Sequence, residues 1–209
     1  AVRVNREKVH YWPQYAEEFY VPCEKKNIPE IPDDGSFKIA FTGNIGTAQG
    51  LQILPEAAEL LKDENVRFVI VGDGRYLDEF KKDIQRHNVA EMFTMIPRQP
   101  AERIPELLSV CDAAFLSFQD DELWAKTIPA KLQSYMACGM PIVASAKGET
   151  KRIIEEAECG VCSEIGDVEG LVDNIKILKD MSMLKLKKMR NNAVNYGNQH
   201  FSKIILMNM

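Results

Sequence analysis

From residue 37 onward, short apolar runs alternate with stretches whose apolar residues recur at helical spacing. The uninterrupted runs are "FKIAFTG" (37–43), "VRFVIVG" (66–72), "MFTMI" (92–96), "AAFLSF" (113–118), "PIVAS" (141–145) and "GVCSEI" (160–165). Apolar runs this short, with little polar alternation, predict strands buried on both faces. Between them the spacing predicts helices over 50–62, 76–87, 101–109, 129–138 and 149–157, with two more over 168–179 and 184–196. Such alternation predicts an α/β fold: a Rossmann-like doubly wound parallel sheet of about six strands with helices on both faces. Ligands of such sheets bind beyond the carboxyl ends of the strands. The segments "TGNIGTAQG", "VGDG", "PRQP" and "AKTIPAK" all fall there.

The pattern is absent from residues 1–36, where Pro, aromatic and charged residues mix without a period. This segment reads as an interdomain hinge or linker that packs on a neighbour. Residues 37–201 form the predicted ligand-binding domain. Residues 202–209, within "FSKIILMNM", read as a truncated tail, or as a fragment that docks on the same domain.

The 209 residues, 45% hydrophobic and 27% charged, are those of an ordinary globular protein. A net charge of −5 and the lack of a basic arm exclude a wholesale nucleic-acid partner. No apolar run is long enough to cross a bilayer, and no signal peptide opens the chain. Five cysteines without regular spacing do not make a disulfide framework. "CGVC" (159–162) lacks a helix start or a second ligand pair, so it reads as reduced, half-buried thiols in a cytoplasmic setting. His10, His87 and His200 are scattered and do not have metal-ligand spacing.

Four turns carry the candidate chemistry. In "TGNIGTAQG" (42–50), Gly43 and Gly46 let the backbone approach a ligand closely, although a strand-to-helix turn needs glycine anyway. The spacing is not G-x-G-x-x-G, which counts against a dinucleotide. Gly72 and Asp73 of "VGDG" form a second such turn, where Asp73 can hold a ribose or, more ordinarily, cap the next helix. Arg98 of "PRQP" can stack on a base or reach a phosphate, or simply be solvated. In "KTIPAKLQSYMACGMPIVAS" (126–145), Thr127 is the expected N-cap of a helix with Pro129 in its first turn. Lys126 and Lys131 then stand beside free N–H groups at the positive end of that helix, a candidate phosphate site. "MLKLKKMR" (183–190) can touch an anionic membrane surface, though a solvated helix face is the more ordinary reading.

The ordered series "FTGNIGTAQG", "FVIVGDG", "IPRQPAERIPELLSVCDAAFLS" and "IPAKLQSYMACGMPIVAS" resembles the C-terminal half of GT-B glycosyltransferases, family four (group 1) of the retaining enzymes. It looks most like the fucosamine-type transferases of bacterial O-antigen and capsule synthesis. "KVHYWPQYAEEF" looks like the hinge before that half.

The resemblance implies a donor-binding domain that moves a sugar from a nucleoside-diphosphate sugar, UDP-linked by expectation, with retention. The acceptor would be a glycan or lipid-linked molecule held by an N-terminal half outside this chain, without which the chain would bind but not turn over. It also implies no metal, the diphosphate being held by helix N–H groups and cations. Peripheral contact with the cytoplasmic face of the membrane is a further implication.

Carried onto this sequence, Thr127 and Ile128 serve as backbone donors beside Lys126, with Lys131 catalytic. Where relatives carry Arg and Lys in the first loop, this chain has Asn44 and Gln49. The family's Glu pair falls on Ala125 and Gln133, leaving Gln133 for ribose and Glu122 as a stand-in for the first carboxylate. A non-catalytic nucleotide-binding module and a dinucleotide-dependent oxidoreductase are the rival readings.

Overall fold

The computed structural model describes residues 12–207. Its strands are β1 (Phe37–Asn44), β2 (Val66–Asp73), β3 (Phe93–Ile96), β4 (Ala113–Ser117), β5 (Ile142–Ser145) and β6 (Gly160–Ser163). They form one six-stranded sheet in the order β3-β2-β1-β4-β5-β6, and every pairing is parallel. The first helices in chain order are α1 (Ile53–Leu60), α2 (Leu77–Arg86), α3 (Ile104–Leu108), α4 (Glu122–Ala125) and α5 (Ala130–Ala137). They are followed by α6 (Glu149–Glu156), α7 (Val168–Lys179), α8 (Met183–His200) and α9 (Lys203–Met207).

Because successive side chains of a strand point to opposite faces, β1 feeds two cores. Ile39 and Phe41 join Phe68 and Ile70 of β2 under α1, α2 and α7. Ala40 joins Val69 and Val71 under α3, α5 and α6. Burial on both faces is why these strands read as unbroken apolar runs.

The strand order reverses between β1 and β4. β1 stays in register with β2 over its whole length, from Phe37 opposite Val66 to Asn44 opposite Asp73. With β4 it pairs only at Ile39–Ala113 and Ala40–Ala114. Beyond these pairs the two strands part, and Tyr135 of α5 reaches the end of β1 there. The buried Tyr135 hydroxyl accepts the Thr42 N–H at 2.9 Å, in place of a strand partner. Burial pushes the Tyr135 phenol up to about 12, so it stays a neutral hydroxyl. A crevice at a strand-order reversal is where ligands of this sheet type bind.

The stretch before β1 has no helix or strand among its described residues, but it does not stand apart. Ile28 and Ile31 are 7% and 6% exposed and belong to the core beneath α5 and α8. The expected linker therefore packs, in its described part, on this domain. The first residues of the expected hinge, up to Tyr11, and the last two of the tail lie outside the described residues. Within 202–209 the chain forms α9, whose Leu206 is buried.

Asp34 ties this stretch to the base of the sheet. Its carboxylate accepts bonds from the Ser36 hydroxyl (2.6 Å), Lys38 Nζ (3.2 Å) and Arg67 Nε (2.9 Å). Burial alone would raise its pKa, but those donors outweigh burial and hold the carboxyl well below the usual range. A depressed carboxylate contributes stability above its unfolded value of 3.8 and loses it as pH falls through the folded value. Asp34→Ala should cost about 2 kcal/mol at pH 7, since the buried Lys38 ammonium loses its counter-charge and keeps only the Ser36 carbonyl as acceptor. The gap to wild type should narrow in urea titrations below pH 4, where Asp34 of the unfolded chain takes up a proton that the folded clamp still refuses. Equal midpoints at pH 7 would show that the clamp contributes nothing.

The two cysteines of "CGVC" are free. Burial pushes Cys159 up to about 12 and Cys162 up to about 11, so both are thiols rather than reactive thiolates.

Candidate functional site

The loops after β1 and β2 meet α5 over the crevice. They enclose a cleft of about 740 Å³ lined by Gly43, Asn44, Gly72, Asp73, Arg98 and Lys131. Arg75, Gln99, Ser134 and Tyr20 also stand in its walls. A second cavity of about 290 Å³ lies between the parted ends of β1 and β4. It shares Asn44, Ala130 and Lys131 with the cleft, so the two spaces meet at the mouth of α5.

Two glycines let the walls come this close. A Cβ on Gly72 would lie 1.9 Å from the Gly43 carbonyl oxygen, and Gly72 holds φ at +154°. A Cβ on Gly43, at φ +118°, would lie 2.9 Å from Lys131 Cε. Lys131 thus reaches over the end of β1, its ammonium 4.3 Å from the Phe41 ring centroid. Its side chain has no ion pair or hydrogen bond among the described residues. Burial pulls it down to about 8. An unpaired, desolvated cation facing the meeting point of two cavities is poised for an anion. Around it the cleft carries Arg75 and Arg98 against the single carboxylate of Asp73. This wall is positive in a chain whose net charge is −5.

The start of α5 differs from the sequence-based expectation. The helix opens at Ala130 with Pro129 at the N-cap, and no side chain caps it. Thr127 instead closes α4: its N–H donates to the Trp124 carbonyl (3.1 Å) and its hydroxyl to the Leu123 carbonyl (2.8 Å). Its backbone donor is therefore already used, which corrects the role expected for it. The first intrahelical bond of α5 runs from Leu132 N–H to Pro129 O, leaving the Ala130 and Lys131 N–H groups free at the cleft. Ile128 also precedes that bond, while its side chain packs on the core. Lys126 ends α4, is exposed and lines neither cavity.

Gln133 is placed away from the cleft. It is 1% exposed, and its amide oxygen and nitrogen have no hydrogen-bond partner among the described residues. Ser134, one position on, faces the cleft instead. A one-residue step turns a helix by about 100°, enough to exchange an outward position for a core one. Glu122 opens α4 on the exposed side and lines neither cavity. Its charge is felt by Lys147, which Asp120 holds above the usual lysine range. The carboxylate expected as a stand-in at the site is therefore not at either cavity wall.

In the first loop, Gln49 Oε1 accepts the Gly46 N–H (3.0 Å) and the Asn44 amide (3.3 Å). Gly46 accordingly serves this internal bracket, because a Cβ there would sit 2.8 Å from both side chains. Asp73 accepts the neighbouring Gly74 N–H at 2.7 Å, and Tyr76 takes the N-cap of α2 expected of it. Sequence reading missed Tyr20, Arg75 and Ser134. Arg75 directly follows "VGDG" and was legible there, whereas Tyr20 reaches the cleft only through the packing of the stretch before β1. Among the described residues, no three His, Cys, Asp or Glu side chains group as a metal site.

The family model for glycosyl transferases group 1 matches residues 24–200. The probable glycosyltransferase WbjE of Pseudomonas aeruginosa is 32% identical over 152 residues, covering 71% of this chain and 38% of WbjE. The putative colanic acid biosynthesis glycosyl transferase WcaI of Escherichia coli K12 is 32% identical over 154 residues, covering 72% of this chain and 37% of WcaI. The chain thus spans less than two-fifths of these relatives. The crystal structure of Anabaena Alr3699/HepE in complex with UDP-glucose superposes with a TM-score of 0.75 at 20% identity, covering 92% of this chain and 53% of that one. That likeness is one of fold.

Proposed function

We propose, from the premise that this chain belongs to the group 1 glycosyl transferases, that its cleft holds the nucleoside-diphosphate sugar of a retaining transfer. UDP is the nucleotide we assign, supported by its presence in the fold neighbour HepE. The observation that carries the reading is the unpaired Lys131 ammonium at the mouth of α5.

In the transfer, the bond between the anomeric carbon and the diphosphate oxygen breaks, and its electron pair stays on the diphosphate. Charge therefore grows where Lys131 and the free N–H groups of Ala130 and Lys131 point. Donors already in place there lower the barrier without reorganising. Arg75 and Arg98 line the remainder of the cleft and can meet the nucleotide. These groups supply the positive charge the diphosphate needs, and we propose that no metal takes part. The acceptor, a glycan or lipid-linked molecule of a cell-surface polysaccharide, would be held by a part of the protein outside this chain. WcaI's assignment to colanic acid biosynthesis supports that setting. On this reading the chain binds donor alone and does not turn it over.

A reducing, cytoplasmic compartment belongs to the same proposal and is supported by five free thiols. Among the described residues no helix is long and apolar enough to cross a membrane. Peripheral contact with an anionic membrane face is supported by the first turn of α8, which exposes Met183 and Leu184 beside Lys185.

Calorimetry with UDP and a chelator present tests the donor site and its protonation together. Free Lys131 loses its proton near pH 8, whereas a bound diphosphate holds that proton to higher pH. Affinity should therefore be flat between about pH 7 and 7.5, below which the terminal phosphate of UDP begins to take up a proton, and fall by up to about tenfold per pH unit above 8. The heat should depend on buffer ionisation in that window. Absence of binding at every pH would remove the donor site, and a flat profile to pH 9.5 would remove Lys131 from it.

A non-catalytic binding module is the second reading. It is favoured by Asn44 and Gln49, neutral and bonded to each other where relatives of the resembled type carry cations. Sugar transfer by the full-length protein would exclude it.

A further inference from the structure

We infer that Cys23 and Cys138 are a thiol pair that a small anionic disulfide oxidises to a reversible cross-link between the stretch before β1 and the end of α5. Both cysteines are free, and both line a cavity of about 210 Å³ beside α8, outside the donor cleft.

The two segments meet at these residues. Pro22 and Gly139 adjoin the cysteines in sequence, and a Cβ on Gly139 would lie 3.7 Å from Pro22 Cγ. Burial, and after it the neighbouring Cys23 thiol, push Cys138 up to about 12, so each sulfur feels the other. The thiols of Cys111, Cys159 and Cys162 donate to backbone carbonyls. Those of Cys23 and Cys138 have no hydrogen-bond partner among the described residues, which leaves both sulfurs uncommitted. Lys187 and Arg190 line the same cavity, and no carboxylate does. Arg190 gives one nitrogen to the Cys111 and Asp112 carbonyls and has no ion pair among the described residues. Among small disulfides, this positive wall favours an anionic one such as glutathione disulfide.

The half-exposed Cys23 begins the exchange. Its thiolate attacks one sulfur of the small disulfide, whose S–S bond breaks, and the departing thiolate takes up a proton in place of the one Cys23 lost. Cys138 then attacks the Cys23 sulfur of the mixed disulfide. The Cys23–Cys138 bond forms, and the second small thiol leaves with a proton in place of the one Cys138 lost. The pair gives up two electrons and two protons in all, and the small disulfide receives them. Cys138 holds its proton firmly, so the second step is the slow one.

Tyr20 stands three residues before Cys23 and Ser134 one helical turn before Cys138, and both line the donor cleft. The cross-link therefore pins the stretch that carries Tyr20 to the helix that carries Ser134. In a reducing compartment such a bond is transient and reports redox state rather than holding the fold.

The test treats the wild-type chain with glutathione disulfide at about pH 8 and maps its thiol-blocked peptides by mass spectrometry. A Cys23–Cys138 linked pair should accumulate over minutes to hours. Its initial rate of reaction should fall as salt screens the two cations. The melting temperature should rise by about 5 °C or more, the scale of a disulfide that closes a long loop, and dithiothreitol should reverse the rise. Cys138→Ala should stop at a glutathione adduct on Cys23, without that rise. A lasting adduct on wild-type Cys23, linkage through other cysteines, or no reaction would overturn the pair. A rate indifferent to salt would overturn the anionic class of the oxidant.

Discussion

Lys131→Met should lose about 10- to 100-fold in UDP affinity while the protein stays as stable as wild type or becomes more so. The loss follows from removing a charge-assisted partner of the diphosphate, an interaction of about 1.5–3 kcal/mol. The unchanged stability follows from the free state, in which the ammonium is desolvated beside Phe41 and has no carboxylate to pair with. Methionine keeps the unbranched stem and its packing but removes the charge. Residues that serve the fold lose stability when cut, whereas residues held in readiness for a ligand do not. Lys179→Met is the control, since Lys179 pairs with Glu64 and lines no part of the cleft. Calorimetry and thermal melts on the two variants decide the matter. Equal UDP affinities would reduce the α5 mouth to a structural turn, and a lower melting temperature for Lys131→Met would recast the lysine as a packing residue.

The second large effect is expected at a residue with no side chain. Gly72→Ala places a Cβ 1.9 Å from the Gly43 carbonyl oxygen and 3.0 Å from its carbon, both backbone atoms that cannot swing aside. The ends of β1 and β2 would have to separate, at a cost of about 3 kcal/mol or more. Gly43 would move with them, and it is the position over which Lys131 lies. Both stability in urea and UDP affinity should therefore fall together. Gly35→Ala provides the comparison: φ is +73° but nothing lies within 4 Å, so only the backbone penalty of about 1 kcal/mol applies. A Gly72→Ala protein with wild-type midpoint and affinity would show that the close approach of the two turns is dispensable.

The strands and most helices were legible because a strand's or helix's hydrophobic period is set by near neighbours. The runs at 37–43 and 66–72 became β1 and β2 with one residue added to each, and the helix predicted over 168–179 is α7 as it stands. The family was legible because its motifs come in order along the chain, each at a βα turn. Errors gathered at the junction 121–134, where a four-residue helix and a proline turn precede α5. Thr127 looked like the cap of the helix that follows, and it is bonded to the helix before. A threonine hydroxyl serves either neighbour, and the choice depends on where the chain turns. Gln133 and Ser134 exchanged roles for a similar reason, since both positions are polar and only the rotation of α5 on the sheet tells core from cleft.

Local chemistry thus determined the alternation of strands and helices, the glycine turns at the sheet's carboxyl edge and the lysine at the start of α5. Only tertiary packing decided what those pieces make together. The parting of β1 from β4 opens the second cavity, and Tyr20 is carried more than a hundred residues along the chain to the wall beside Ser134. It also left Lys131 without a carboxylate among the described residues. The physical reason is range: periodicity and turn preference act over a few residues, whereas burial, the loss of water around a charge and the shape of a cavity arise between residues that only the folded chain brings together.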